Sequence, residues 1–160
     1  AGWIHTYAGE VGFSSRAATM ITTGFWVSFT SGRLFSAWVS GRIRPKVVMA
    51  ASGTATVVAA IVLTIAQGSP AGMWIGAIMI GLATAPQFPV MIAYLERRIQ
   101  LSGSDTSLFM ASAGMGGLAF PYVIGQMIDA AGTAIFPWMV LGLSVVAMAA
   151  FVRANAVLGG

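Results

Sequence analysis

The sequence predicts an all-α membrane protein, a polytopic helical bundle of five full transmembrane helices preceded by the end of a sixth. Three observations predict it. Of the 160 residues, 58% are hydrophobic and only 8% are charged, against roughly a quarter charged in soluble domains. A water-soluble fold of this length cannot hide so much apolar surface, whereas a bilayer solvates it directly. Five apolar stretches are each long enough to cross about 30 Å of hydrocarbon, which takes roughly 20 residues. Short segments with loop chemistry join them.

The elements follow in order. Residues 1–8 are too short to span and read as the tail of a further helix whose start lies upstream, so the chain reads as a piece of a longer one. The first full span runs over 17–39, broken only by Arg33. The second covers 47–66, and the third covers 72–95 with Pro86 and Pro89 inside it. The fourth covers 107–128 and contains Pro121, and the fifth covers 133–152. The connections at 9–16, 40–46, 67–71, 96–106 and 129–132 are short, so sequence neighbours are expected to run antiparallel. Twenty glycines fit close helix approach in lipid. Gly72 and Gly76, and likewise Ala113 and Gly117, are four apart and make flat faces for a neighbouring helix.

Charge predicts orientation. If the five spans alternate, Arg42, Arg44, Lys46, Arg97, Arg98 and Arg153 share one side and Arg16 falls on the other. Basic residues are retained in the cytoplasm, which puts the N-terminus of the chain outside and its C-terminus in the cytoplasm of a plasma or bacterial inner membrane. The formal net charge of +4 comes without a basic run interleaved with aromatics, so nucleic acid is not an expected partner. There is no cysteine, which excludes disulfides and thiolate metal sites.

Polar residues inside the spans are the candidate site. Thr19, Thr23, Trp26, Thr30 and Arg33 follow a four-three-four-three spacing and share one helical face. Singly, each Thr hydroxyl is expected to bond back to its own helix. Together they fit poorly against lipid tails and predict a bundle interior or a cavity wall. Arg33 needs a partner, water or a snorkelling path, and Glu96 is a candidate partner for Arg33 or Arg42 in a gating or structural role. In the first segment, Trp3, Tyr7 and Glu10 share a face suited to the membrane interface or to stacking on a flat solute. His5 lies on another face, where the ordinary role of a lone His is that of a hydrogen-bonded structural residue and the alternative is a part in a proton-coupled cycle. Pro86 and Pro89 free backbone carbonyls and break the third helix. Gln87 stands between them as the leading substrate-binding candidate, with Tyr94 two turns further on the same side. Pro121 and Tyr122 form a similar bend in the fourth span, Gln126 is expected to be a buried polar residue there, and Asp129 is expected in a loop or cap. Glu10, Glu96, Asp105 and Asp129 all map to loops or span ends.

These motifs carry a family resemblance along essentially the whole chain. The stretch from Gly32 to Lys46, GRLFSAWVSGRIRPK, resembles the loop between the second and third helices of the C-terminal half of major facilitator transporters. No acid precedes its basic turn, where Ser40 and Gly41 stand, in contrast to the commoner superfamily pattern. Gln87-Phe88-Pro89, and the run Gly116, Gly117, Pro121, Gly125, Asp129 and Gly132, are similar to elements of the fucose permease and sodium-dependent glucose transporter branch. The opening GWIHTYA resembles the end of that branch's seventh helix.

The resemblance implies that residues 1–160 form a C-terminal six-helix half of a twelve-helix transporter. Its partners would be the N-terminal half of the same chain, the lipid bilayer and a small-molecule solute. It implies monosaccharide movement by alternating access, coupled to a proton or sodium ion, and no other cofactor. A drug or metabolite exporter of the same superfamily is the alternative within transport. A non-transporting membrane subunit and an intramembrane enzyme are the alternatives outside it. The enzyme would need clustered catalytic groups inside the spans, and the sequence presents none.

Overall fold

The computed structural model describes residues 2–97 and 102–158. Ala1 and Arg98, used above for the first segment and for orientation, lie outside the described residues. The chain folds into helices α1 (Gly2–Glu10), α2 (Ser15–Ser40), α3 (Pro45–Ile65), α4 (Pro70–Thr84), α5 (Gln87–Glu96), α6 (Gly103–Ala131) and α7 (Phe136–Leu158), with one 3-10 turn at Thr133–Ile135 before α7.

Local chemistry sets the helix starts. The Ser14 hydroxyl accepts from the Ala17 N–H and caps α2, and Ser69 does the same for Gly72 in α4. Pro45 and Pro70 open α3 and α4, where a missing N–H costs nothing. Two boundaries differ from expectation. α6 begins at Gly103 because Ser102 and Asp105 cap each other reciprocally, so Asp105 belongs to the first turn and not to a loop. α7 runs on to Leu158 because residues 153–158 contain no glycine or proline to break a helix. Asp129 likewise sits in the last turn of α6, before Gly132 at φ +81° ends it.

The third expected span is two helices. α4 stops at Thr84 and α5 starts at Gln87 after Pro86. Pro86 and Pro89 lack N–H groups, so the carbonyls four residues earlier lose their acceptor role in a regular ladder. The break follows directly from the two prolines.

α4 is the centre of the bundle. α2 packs along one side of it, running parallel: Gly24 faces Trp74, Ser28 faces Gly81, and Gly32 faces Leu82 and Ala85. A Cβ at Gly81 would stand 2.7 Å from the Phe25 carbonyl and clash with Ser28, so only glycine permits this approach. α3 packs antiparallel on the other side, with Leu63 against Gly76, as the glycine pair at 72 and 76 predicts. α7 lies antiparallel on the outside of α3, where Gly53 faces Met148 and the Thr64 hydroxyl donates to the Pro137 carbonyl at 3.3 Å. The core joins Tyr7 of α1, Ile21 and Phe25 of α2, Leu63 of α3, Met73 of α4 and Phe136 of α7.

α6 behaves differently. Ile128 is its only buried residue among those described. The expected Ala113–Gly117 face meets no neighbour, and a Cβ at Gly117 would touch nothing within 4 Å. Gln126 is exposed, not buried as expected. The helix is tied in at its C-terminal half, where the Trp3 indole N–H donates to the Pro121 carbonyl at 3.2 Å and its ring lies against Gly125.

The bundle has two distinct ends. At one, Thr133 donates to the Glu10 carboxylate at 2.7 Å, and Gln67 reaches the Ala134 carbonyl at 3.5 Å. At the other, the Tyr94 hydroxyl donates to the Asn155 side-chain oxygen at 3.2 Å, close in sequence to Arg97 and Arg153. Among the described residues, four helical segments are long and apolar enough to cross a membrane: Pro45–Ile65, Pro70–Glu96, Gly103–Ala131 and Thr133–Val157. α2 has the length, but its threonines, serines and arginines dilute its hydropathy.

Candidate functional site: a polar face on α2

α2 has two opposite faces. Ala18, Ile21, Phe25, Ser28, Gly32, Ser36 and Val39 are buried at three- and four-residue steps. At about 100° per residue, the stripe of Thr19, Thr23, Trp26, Thr30 and Arg33 lies on the other side of the helix, and all five are exposed. The stripe therefore turns away from this bundle and not into it. Half of the expectation changes: the face is an outer wall of this set of helices.

The threonines behave as single residues do. Thr19 and Thr23 donate to the carbonyls of Ser15 and Thr19, each at 2.9 Å. That leaves each hydroxyl oxygen able to accept. Trp26 is 51% exposed and stacks edge-on against Phe25 and Phe29, which holds the indole without covering it. The Arg33 guanidinium lies 5.0 Å from the Phe29 ring centroid, a cation–π contact. Arg42 lies over Trp38 at 4.3 Å and donates to the Trp38 carbonyl at 2.9 Å. The expected pairing of Glu96 with Arg33 or Arg42 does not form among the described residues. Each guanidinium folds onto the aromatic residue four positions before it in the chain, a local contact that needs no loop closure.

One residue from outside α2 joins the stripe. His5 of α1 brings Nε2 to 3.5 Å from the Thr19 hydroxyl. The spacing along α2 cannot reveal it. The signal lies in the antiparallel hairpin, because His5 and Thr19 stand at similar distances on either side of the turn at 11–14.

The other candidates point elsewhere. The Gln87 amide N–H donates to the Thr56 hydroxyl of α3 at 2.7 Å. Tyr94, on the same side of α5, bonds Asn155 and packs edge-on against Phe151 of α7. Both residues bind helices together on the side away from α2. Tyr7 is 2% exposed and lies 5.5 Å from the Phe136 ring, inside the core and not at the interface surface. Tyr122 is 69% exposed on α6. Pro86 caps α5 and Pro89 lies in its first turn, where proline is tolerated. Among the described residues no group of three or more His, Asp or Glu could hold a metal ion.

Comparison with known proteins agrees with this architecture. Residues 1–158 match the family model described as Major Facilitator Superfamily. A Xenopus tropicalis protein named major facilitator superfamily domain-containing protein 4A is 27% identical over 150 residues, covering 92% of this chain and 29% of that protein. Its human namesake is 28% identical over 143 residues, covering 88% and 27%. A mouse protein named sodium-dependent glucose transporter 1A is 26% identical over 116 residues, covering 72% of this chain and 27% of that protein. The chain thus spans less than a third of the length of the curated relatives it matches. No solved structure matches it. With the family model covering all but the last two residues of an all-helical, strongly apolar fold, the chain belongs to the Major Facilitator Superfamily and is an integral membrane protein.

Proposed function

We propose that this chain is one six-helix half of a secondary active transporter, and that the α2 stripe with His5 forms one wall of its solute path. The observation that carries the reading is the stripe's position. Five residues, four of them with hydroxyl or charged groups, stand on the side of α2 turned away from its own bundle. Lipid tails offer such a face no hydrogen bonds. A second set of helices across a water-filled cleft offers both partners and access. Hydroxyls, an indole and a guanidinium suit a small polar solute with several hydroxyls and a flat apolar face, which is the chemistry of a monosaccharide. The name of the mouse relative, sodium-dependent glucose transporter 1A, supports a sugar and a sodium gradient.

In this reading the two halves rock about the path. Arg33, at the basic end of the stripe, guards the cytoplasmic mouth. That end carries Arg42, Arg44, Lys46, Arg97 and Arg153, and the retention of basic residues supports a cytoplasmic location for it and for the C-terminus. The coupling ion, proton or sodium, uses groups outside this chain together with His5 if it is a proton.

The test is uptake of a panel of labelled monosaccharides into proteoliposomes holding the full-length protein, with proton and sodium gradients imposed in turn. Accumulation of one sugar that collapses with one gradient supports the reading and names the ion. Protein shown to be folded that accumulates no sugar under either gradient overturns it, and an exporter or a non-sugar carrier takes its place.

A further inference from the structure

Away from the polar stripe, α2 borders a second feature that the solute path does not use. α2 and α3 stand apart across α4 and leave an open groove of about 990 Å³. Phe35 and Val39 of α2, Val47, Ala55 and Val58 of α3, and Leu82 of α4 line it, and its walls are almost wholly apolar. On α3 the lining extends from Val47 to Val58, about 16 Å at 1.5 Å per residue. Half of a hydrocarbon core about 30 Å thick is about 15 Å. The groove is therefore about as long as one leaflet is deep, and its Val47 end lies in the first turn of a helix long and apolar enough to cross a membrane.

One end of the groove is basic. Arg42, Arg44 and Lys46 lie between Val39 and Val48, which line the groove on either side of the connection. All three cations are exposed. No Asp or Glu occurs between Glu10 and Glu96, so α2, α3 and α4 bring no acid to neutralise them. Arg42 spends one N–H on the Trp38 carbonyl and lies over the indole. Trp38 is itself exposed at this end, as tryptophans at headgroup level are. α3 starts here with no side-chain cap and no acid in its first turn, which adds the positive end of its dipole.

We propose that the groove is a binding site for an anionic phospholipid, with its acyl region lying between α2 and α3 and its phosphate held by Arg42, Arg44 and Lys46. An apolar slot as long as one leaflet is deep fits a lipid tail, and unneutralised cations at its mouth fit a charged headgroup. A zwitterionic lipid would fill the slot, but its own ammonium would offset its phosphate and leave the positive charge of the mouth uncompensated. The site rests on membrane embedding alone and is independent of the solute and coupling ion proposed above.

Native mass spectrometry of the detergent-solubilised full-length protein, titrated with phosphatidylglycerol or phosphatidylcholine of equal chain length, tests the site. Phosphatidylglycerol is expected to be retained about tenfold more strongly or better. The combined Arg42→Gln, Arg44→Gln, Lys46→Gln variant should lose that preference, its phosphatidylglycerol affinity falling by about tenfold or more toward that for phosphatidylcholine. Ala55→Phe, at an exposed groove position, should lower retention of both lipids. Arg16→Gln, at the opposite end, should change neither. Unmodified protein photolysed with a diazirine-tailed phosphatidylglycerol should be labelled within residues 47–58, which requires no variant to fold. Equal retention of the two lipids, an unchanged preference in the triple variant, or labelling outside α2, α3 and α4 would overturn the proposal. An absence of sugar uptake would leave it standing.

Discussion

Gln87 donates its amide N–H to the Thr56 hydroxyl at 2.7 Å, joining the first turn of α5 to the middle of α3. Thr56 passes the bond on to the Ser52 carbonyl at 2.8 Å. The bond sits beside the proline break, where helix α4 ends and the backbone ladder is interrupted. It ties the loose start of α5 to a continuous helix.

Gln87→Ala and Thr56→Val are each expected to lower the melting temperature of the full-length protein in detergent. Their combination should cost less than the sum, with a coupling of about 0.6–2 kcal/mol for an interhelical hydrogen bond in a membrane protein. Strict additivity, with uptake lost at unchanged stability in Gln87→Ala alone, would instead return Gln87 to the solute path.

Gly81→Val should be among the more damaging single substitutions in the chain. The added side chain meets Ser28 and stands 2.7 Å from the Phe25 carbonyl, so α2 and α4 must separate. Overpacking of this kind costs about 1–3 kcal/mol. Gly117→Ala, inside α6 where nothing lies within 4 Å, should leave stability unchanged or raise it by up to about 1 kcal/mol, since Ala is the better helix former. Thermal unfolding of the two variants side by side checks the contrast.

The stripe should separate stability from transport. Thr23→Val and Thr30→Val change exposed side chains and should leave the stability within about 0.5 kcal/mol of the parent. Both should raise the solute concentration needed for half-maximal uptake. Arg33→Ala also loses the contact with Phe29, worth about 0.5–1 kcal/mol at an exposed site. It is expected to slow turnover more than it weakens solute affinity. Sharply weakened binding at an intact rate would contradict that placement.

Trp3 helps hold α6, beside the buried Ile128. Trp3→Phe removes the donor to the Pro121 carbonyl but keeps part of the ring system. Gly125→Val fills the space beside the indole, since a Cβ at that position would stand 3.0 Å from the Trp3 ring. Both changes should increase hydrogen exchange in the 103–131 helix and leave α3 and α4 unaffected. Equal protection in α6 and α3 after either change would show that α6 is held elsewhere.

Much of this architecture is legible in one sequence, and for local reasons. Hydropathy and length set the spans, because each must satisfy its backbone bonds within itself in lipid. Pro86 with Pro89 marks the break between α4 and α5, whereas the caps at Ser14, Ser69 and Ser102 with Asp105 emerge from the structure. The period of Thr19, Thr23, Trp26, Thr30 and Arg33 puts them on one face from spacing alone. What spacing leaves open is which way a face turns, since a helix carries no information about its neighbours' positions. Only the tertiary structure decided that the stripe lies away from the face packed on α4, that Gln87 and Tyr94 turn toward α3 and α7, and that Tyr7 goes into the core. There too Glu96 stands apart from Arg33 and Arg42, whose contacts with Phe29 and Trp38 are themselves local. Those outcomes depend on how several helices share one limited contact surface, and that competition is settled by packing between residues far apart in the chain.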